Sequence, residues 1–270
     1  MTLDEFLLSR VPSGSNGRAA WVPKAVVLAG GRGTRLAPYT SILPKPLMPI
    51  GNSSILEIVL HQLSACGVSE VTLCVGYLSH LIEAVLSHGS SCGVKLTYVR
   101  EEEALGTAGP LRLIGDLDET FMMMNGDVLT TLDFSDLVRH HREEGNLVTI
   151  ATHERAIKID YGVLELGKRG DTNRVYRYVE KPEVTSTVSM GIYVLEPEAL
   201  EYIPTGCHFD FPDLVHQLLR AKQDVGVYKS DAMWFDIGRP DDYRQAAAAW
   251  SEAADALVEA HQLSEAVVMA

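Results

Sequence analysis

The tightest constraint on the fold is the run Ala25-Val26-Val27-Leu28-Ala29, which leads without a break into Gly30-Gly31-Arg32-Gly33-Thr34-Arg35-Leu36. A short continuous apolar run is the pattern of a strand buried on both faces, the setting of a parallel sheet with helices on either side. Glycines directly after it let successive N–H groups turn toward one anion, and the two arginines add positive charge where phosphates would lie. A plain strand-to-helix turn has no use for two guanidinium groups at the open end of a strand. The segment is therefore read as a phosphate-binding loop. It is neither a Walker A loop, which needs Gly-Lys-Ser/Thr where this chain has Arg35, nor a dinucleotide fingerprint, which needs a third glycine where Leu36 stands.

The rest of the chain repeats this rhythm. Ser54-Ile55-Leu56-Glu57 has the form of a capping box, and the helix it opens stops near Gly67. Strands are expected at 71–75, 94–99, 121–125 and 147–152, with helices near 79–88, 108–114 and 133–144. Strand and helix in alternation mean βαβ crossovers and a mostly parallel sheet flanked by helices. After Asp160 the pattern breaks into shorter β-rich pieces at 161–166, 174–179 and 188–195, read as an inserted second layer. A helix near 210–222, a strand at 225–229 and an alanine-rich helix over 240–263 follow. The expected organisation is a loose N-terminal arm (1–23), one α/β unit (24–245) and a C-terminal helix (246–270). The alanine-rich tail beside Trp250 offers either packing within the chain or a contact between copies in a homo-oligomer. His140-His141 with Glu143-Glu144 reads as a solvated helix face.

Composition narrows the partners. The 270 residues carry 23 basic and 36 acidic side chains, a net charge of −13, with no Lys/Arg-rich run, which excludes a general nucleic-acid binder. No apolar run approaches the roughly 18 residues of a membrane span, so no membrane partner is expected. Cys66, Cys74, Cys92 and Cys207 are scattered among apolar neighbours without metal-clip spacing, and are expected as free buried thiols. With the acidic start Asp4-Glu5, this gives a cytoplasmic expectation.

Ten positions after Arg35 comes Lys45, in Pro44-Lys45-Pro46. Flanking prolines are expected to hold Lys45 out on a stiff extended segment. The glycine loop and Pro44-Lys45-Pro46 are followed by Leu105-Gly106-Thr107-Ala108-Gly109, Asn125-Gly126-Asp127, Tyr161-Gly162-Val163, Glu180-Lys181-Pro182, Gly191-Ile192-Tyr193 and Asp236-Ile237-Gly238. In this series the chain resembles the sugar-1-phosphate nucleotidyltransferases over about residues 24–245. The resemblance implies a Rossmann-like α/β fold with a smaller β-rich sugar-binding subdomain inserted at about 155–195. Some relatives append a left-handed β-helix, for which too few residues follow 245, so none is expected.

The resemblance also implies roles. Leu28, Ala29, Gly30, Gly31, Gly33, Thr34 and Arg35 would bind the nucleotide with Glu103, Gly106 and Thr107. Asn125, Gly162, Glu180, Lys181 and Gly191 would bind the sugar phosphate. Arg35, Lys45, Asp127 and Lys181 would carry catalysis, and Asp127 with Asp236 would hold Mg²⁺. Asp127 follows an expected strand at a carboxyl edge, where α/β folds bind ligands. Two carboxylates from separate strands can hold one Mg²⁺ against a triphosphate, although the plainer reading of each is a turn cap.

The implied reaction is attack of a sugar 1-phosphate on the α-phosphorus of a nucleoside triphosphate. Guanine presents two N–H donors side by side that one carboxylate can accept, so Glu101-Glu102-Glu103 favours GTP, with Glu103 and Glu102 nearest the following motif. In this the stretch resembles mannose-1-phosphate guanylyltransferases, with mannose- or heptose-1-phosphate as the favoured sugar. Thymidylyl, cytidylyl or uridylyl transfer to another hexose-1-phosphate is the alternative. A non-catalytic regulatory subunit of the same fold is a further alternative, disfavoured because Arg35, Lys45, Asp127 and Asp236 are all present. Glu180-Lys181 and Tyr161-Gly162 point to a sugar over a cofactor precursor.

Overall fold

The computed structural model describes residues 24–167 and 174–250, so the expected N-terminal arm and the C-terminal helix beyond residue 250 lie outside the described residues. In chain order the strands are β1 (Ala25–Ala29), β2 (Pro49–Ile50), β3 (Ser53–Ser54), β4 (Glu70–Val75), β5 (Lys95–Arg100), β6 (Phe121–Asn125), β7 (Val128–Thr130), β8 (Val148–Lys158), β9 (Val163–Leu166), β10 (Val175–Val179), β11 (Glu183–Leu195), β12 (Val225–Lys229) and β13 (Trp234–Asp236). The α-helices are α1 (Ile55–Ala65), α2 (Ser79–Leu86), α3 (Phe134–Glu144) and α4 (Phe211–Arg220). Residues 240–250 are also helical.

One seven-stranded sheet has the order β12-β8-β11-β6-β1-β4-β5. Strands β6, β1, β4 and β5 run parallel, β12 is parallel to β8, and β11 is antiparallel to both its neighbours. As its sequence requires, β1 is buried on both faces. Ala25 and Val27 pack into one apolar cluster with Leu56 and Leu60 of α1. Val26 packs into another with Phe121 and with Leu214 of α4. Helices therefore cover both faces of the sheet, which is the Rossmann-like arrangement. From β1 the chain goes first to β4 on one side and later to β6 on the other, so β1 marks the switch point at whose carboxyl end such folds bind ligands.

Helix α1 begins as its sequence announces. Ser54 Oγ accepts from Glu57 N at 3.2 Å, while Glu57 Oε2 accepts from Ser54 N at 2.7 Å. Ser54→Ala should lower stability by about 1 kcal/mol, read as a shift of the urea midpoint. An unmoved midpoint would show that this cap is replaced by water at no cost.

Several expectations need correction. The helix expected near 108–114 is a 3₁₀ segment, Gly109–Leu113, with Pro110 in its first turn. β8 runs on to Lys158 and β11 starts already at Glu183, because the two pair in register from Glu183↔Lys158 to Thr187↔Glu154 beyond the main sheet. The residues of that extension are largely polar and exposed, so no apolar pattern announces them. The antiparallel pair β9 and β10 lies between them in the chain as a separate two-stranded sheet. His141 does not lie on a solvated face: it is fully buried, with Nδ1 2.8 Å from Thr149 Oγ1 and Nε2 3.1 Å from Glu196 Oε1. It continues the inward stripe Phe134, Leu137 and Val138 at helical spacing. Of the four cysteines, Cys207 is exposed and Cys66 half-buried, contrary to expectation. Trp250 packs within the chain, in a cluster with Leu36, Ile55 and Ile237. Among the described residues no helix is long and apolar enough to cross a membrane.

Candidate active site

Four parallel neighbours end on the same edge of the sheet. β1 delivers Gly30 to Arg35, β6 delivers Asp127, β4 delivers Gly76 and Tyr77, and β5 delivers Glu101.

The glycine loop is shaped by a left-handed residue. Gly33 has φ +60°, a conformation costly for any side chain, and its carbonyl accepts from Leu36 N at 2.9 Å and from Thr40 Oγ1 at 2.8 Å. This closes the 3₁₀ turn Thr34–Leu36. Leu36 is buried as the anchor of that turn, while Arg35 stays exposed beside the backbone of Gly238. Leu28, Ala29, Gly31, Gly33, Thr34, Arg35, Lys45, Pro46 and Asp127 together line a cleft of about 230 Å³.

Lys45 is not held out in solvent. Pro44 is extended, but Lys45–Leu47 forms a 3₁₀ turn closed by Leu47 N to Pro44 O (2.9 Å) and Met48 N to Lys45 O (3.0 Å). Pro46 sits at the second position of that turn, where its missing N–H costs nothing. The turn carries Lys45 inward, where it is 8% exposed and its ammonium donates to Asp127 Oδ2. Asp127 Oδ1 is buried with no hydrogen-bond partner. β13 pairs with β7 so that Asp236 stands opposite Val128, and Ile237 N donates to Asp127 O at 3.2 Å. The two aspartates are thereby neighbours. Partial desolvation and the nearby Asp127 carboxylate push the Asp236 carboxyl above its ordinary range, while Lys45 and Arg35 oppose the shift.

Such a pair favours the arrival of a cation, and the orphaned Asp127 Oδ1 offers it a ligand atom. Among the described residues no cluster of three or more metal-ligating side chains occurs. Two carboxylates suit Mg²⁺, which keeps several waters and takes remaining ligands from phosphate oxygens.

The glutamate stretch is sorted by the end of β5. Glu101 is half-buried behind the glycine loop, and a Cβ placed on Gly30 would stand only 2.6 Å from its Oε1. Its Oε2 accepts from Leu105 N at 3.0 Å, and burial raises its carboxyl above the ordinary range. Glu102 and Glu103 are exposed. Gly106 and Thr107 are tied to the start of α4. Thr107 N and Oγ1 donate to Asp210 Oδ1 at 2.9 and 3.2 Å, and Thr107 Oγ1 accepts from Phe211 N at 2.8 Å.

Of the expected sugar-side residues, Asn125 and Gly191 meet: Gly191 has φ +74°, and a Cβ on it would stand 2.7 Å from Asn125 Nδ2. Gly162 lies against the ring of Tyr178, whose hydroxyl donates to Glu180 Oε2 at 2.7 Å. Lys181 is exposed in the turn between β10 and β11, with φ +45°. Glu101 lies in the candidate stretch, but the sequence favours Glu103 and Glu102 over it and does not single out Tyr77. Their signal was position alone, directly at or just beyond the carboxyl ends of β5 and β4.

Comparison with known proteins places this geometry in a family. Residues 24–253 match the nucleotidyl transferase family, and the chain belongs to it. It is 34% identical over 243 residues to the UTP–glucose-1-phosphate uridylyltransferase of Synechocystis sp., covering 83% of this chain and 62% of that protein. It is also 34% identical to the mannose-1-phosphate guanylyltransferase catalytic subunit beta of Danio rerio, covering 82% and 62% respectively. The chain thus spans about 62% of the length of these curated relatives. Among solved structures, HddC from Yersinia pseudotuberculosis superposes with a TM-score of 0.66 at 26% identity, over 85% of this chain and 100% of that one. The same protein complexed with GMP-PN gives 0.64 at 25% identity, with the same coverage.

Proposed function

We propose that this chain joins a nucleoside triphosphate and a sugar 1-phosphate to give an NDP-sugar and pyrophosphate. The observation that carries this reading is the convergence of Arg35, Lys45 and Asp127 around one cleft at the switch point of the sheet, with Asp236 beside Asp127. A phosphate oxygen of the sugar 1-phosphate attacks the α-phosphorus; the P–O bond to the β-phosphate breaks, and pyrophosphate leaves. The nucleophile is already anionic, so the protein's task is to bring two polyanions together and neutralise charge as it shifts. The amides of the Gly30 to Gly33 loop and Arg35 receive the leaving pyrophosphate. Lys45 bridges the phosphates, and Lys181 draws in the sugar phosphate, with Asn125, Gly162, Glu180 and Gly191 around the sugar. Asp127 and Asp236 would hold Mg²⁺, which when bound neutralises negative charge on the triphosphate oxygens.

GTP is the favoured nucleotide, with mannose- or heptose-1-phosphate as acceptor. The base is read by Glu101 in place of Glu103, since Glu101 is the carboxylate packed behind the nucleotide loop. The guanylyltransferases among the relatives and the GMP-PN complex of HddC support this choice. The uridylyltransferase at equal identity supports the second reading, uridylyl transfer. Pyrophosphate release measured over four NTPs crossed with mannose-, glucose- and heptose-1-phosphates separates them; no release with any pair would overturn the assignment.

Glu101→Gln turns one acceptor into a donor facing the two donors of guanine. A lost charge-assisted hydrogen bond is worth roughly 1.5–3 kcal/mol, so kcat/KM for GTP relative to UTP should fall about 10- to 150-fold. Because burial raises the Glu101 pKa, its proton returns as pH falls at a higher pH than for an ordinary carboxylate. The GTP preference should therefore weaken on acidification before exposed glutamates protonate. A ratio unmoved by Glu101→Gln but altered by Glu103→Gln would return the role to Glu103.

A further inference from the structure

Tyr77 touches the phosphate loop at three separate places. Its backbone N–H donates to Gly30 O at 3.3 Å, at the start of the loop. Its hydroxyl donates to Ser41 O at 3.2 Å, at the end of the 3₁₀ turn Tyr39–Ser41 that follows the loop. Between these, the Arg32 guanidinium carbon lies 5.6 Å from the centroid of the Tyr77 ring, within cation–π range. Gly76 makes the close approach possible, since a Cβ there would stand 3.0 Å from Gly30 O. The consequence for the cleft is selective. Arg35 lines it, whereas Arg32 is drawn over the Tyr77 ring outside that lining.

We propose that Tyr77 is a positioning residue that braces the segment from Gly30 to Ser41 and parks Arg32, so that the phosphates meet a preset cradle with Arg35 as its arginine. This rests on the nucleotidyl-transfer reading for its consequence, but the brace itself is a property of the free protein. An unbraced loop of glycines has many conformations, and ordering it on binding weakens affinity for the nucleotide while leaving the sugar side untouched.

Two variants separate the contacts. Tyr77→Phe keeps the ring under Arg32 and loses the tie to Ser41, and Tyr77→Leu loses both. In the free protein, trypsin can cut after Arg32 only when its guanidinium leaves the ring. Cleavage there should be about tenfold faster in Tyr77→Leu than in wild type, and within about threefold in Tyr77→Phe. In turnover, Tyr77→Leu should raise KM for the nucleotide about tenfold, with kcat and KM for the sugar phosphate within about twofold. Wild-type cleavage rates in Tyr77→Leu would overturn the proposal. So would a rise of both KM values together with a lowered melting temperature, the mark of general loosening. If the wild-type protein transfers no nucleotidyl group, the functional reading fails, and the cleavage rates still decide the brace.

Discussion

Asp127→Asn is expected to remove nearly all turnover, by at least about 10²–10³-fold, the scale for losing one preorganised electrostatic contact. The amide keeps the shape of the carboxylate but removes its charge and leaves one acceptor oxygen where Lys45 and a divalent cation need two. On the proposed function, Asp236 would then be the one carboxylate left for the cation. The variant still folds, because the backbone ties that seat residue 127, including its carbonyl's bond from Ile237 N, do not involve the side chain. Breaking a fully buried ion pair costs about 3–5 kcal/mol. Here the side chain of Asp127 is 25% exposed and that of Lys45 10%, so water reaches the stranded ammonium and the loss is smaller. Pyrophosphate release with and without a chelator, a melting curve, and titration with Mn²⁺ in the absence of substrate check the three parts. Near-wild-type turnover in a folded Asp127→Asn protein would sink the assignment of Asp127 to the metal.

What the sequence made legible was local. The run Ala25 to Ala29 could only be a strand buried on both faces, the glycines after it could only be a turn at its carboxyl end, and Ser54 with Glu57 state the start of α1 within four residues. Asp127 was readable for the same reason, since Asn125-Gly126-Asp127 ends an apolar run. What stayed hidden depends on contacts between distant segments. The prolines around Lys45 describe a stiff backbone, but only the fold reveals that the stiffness turns the ammonium inward onto Asp127, 82 positions away. Among three consecutive glutamates, which one faces the loop is decided by where β5 ends against β4. The register places Arg100 beside Val75, so that Glu101 N donates to Val75 O and its side chain falls behind Gly30. The resemblance that pointed to Glu103 carried no information on that register. The long extensions of β8 and β11 were illegible because their residues, such as Glu154, Arg155 and Lys158, bury no apolar face.

The pairing of Lys45 with Asp127 also determines how Lys45→Ala should behave. In the free protein the ammonium already has a partner, and its presence tempers the repulsion between Asp127 and Asp236. To reach a bound triphosphate it must give that contact up, so its net contribution to nucleotide binding in the ground state is small. The balance changes as the reaction proceeds. Negative charge accumulates on the oxygen leaving with pyrophosphate, and a cation fixed by a proline-braced turn stabilises that charge without reorganising at the moment of reaction. Lys45→Ala should therefore lower kcat about 10²–10³-fold while KM for the nucleotide changes by less than about fivefold. The repulsion left between the two aspartates should draw a divalent cation in more tightly, visible as stronger Mn²⁺ binding to the free variant than to wild type. Lys45→Arg keeps the charge but not the point-like ammonium, and should recover only part of the rate. A raised nucleotide KM with unchanged kcat would make Lys45 a ground-state binder and not a group that stabilises the transition state.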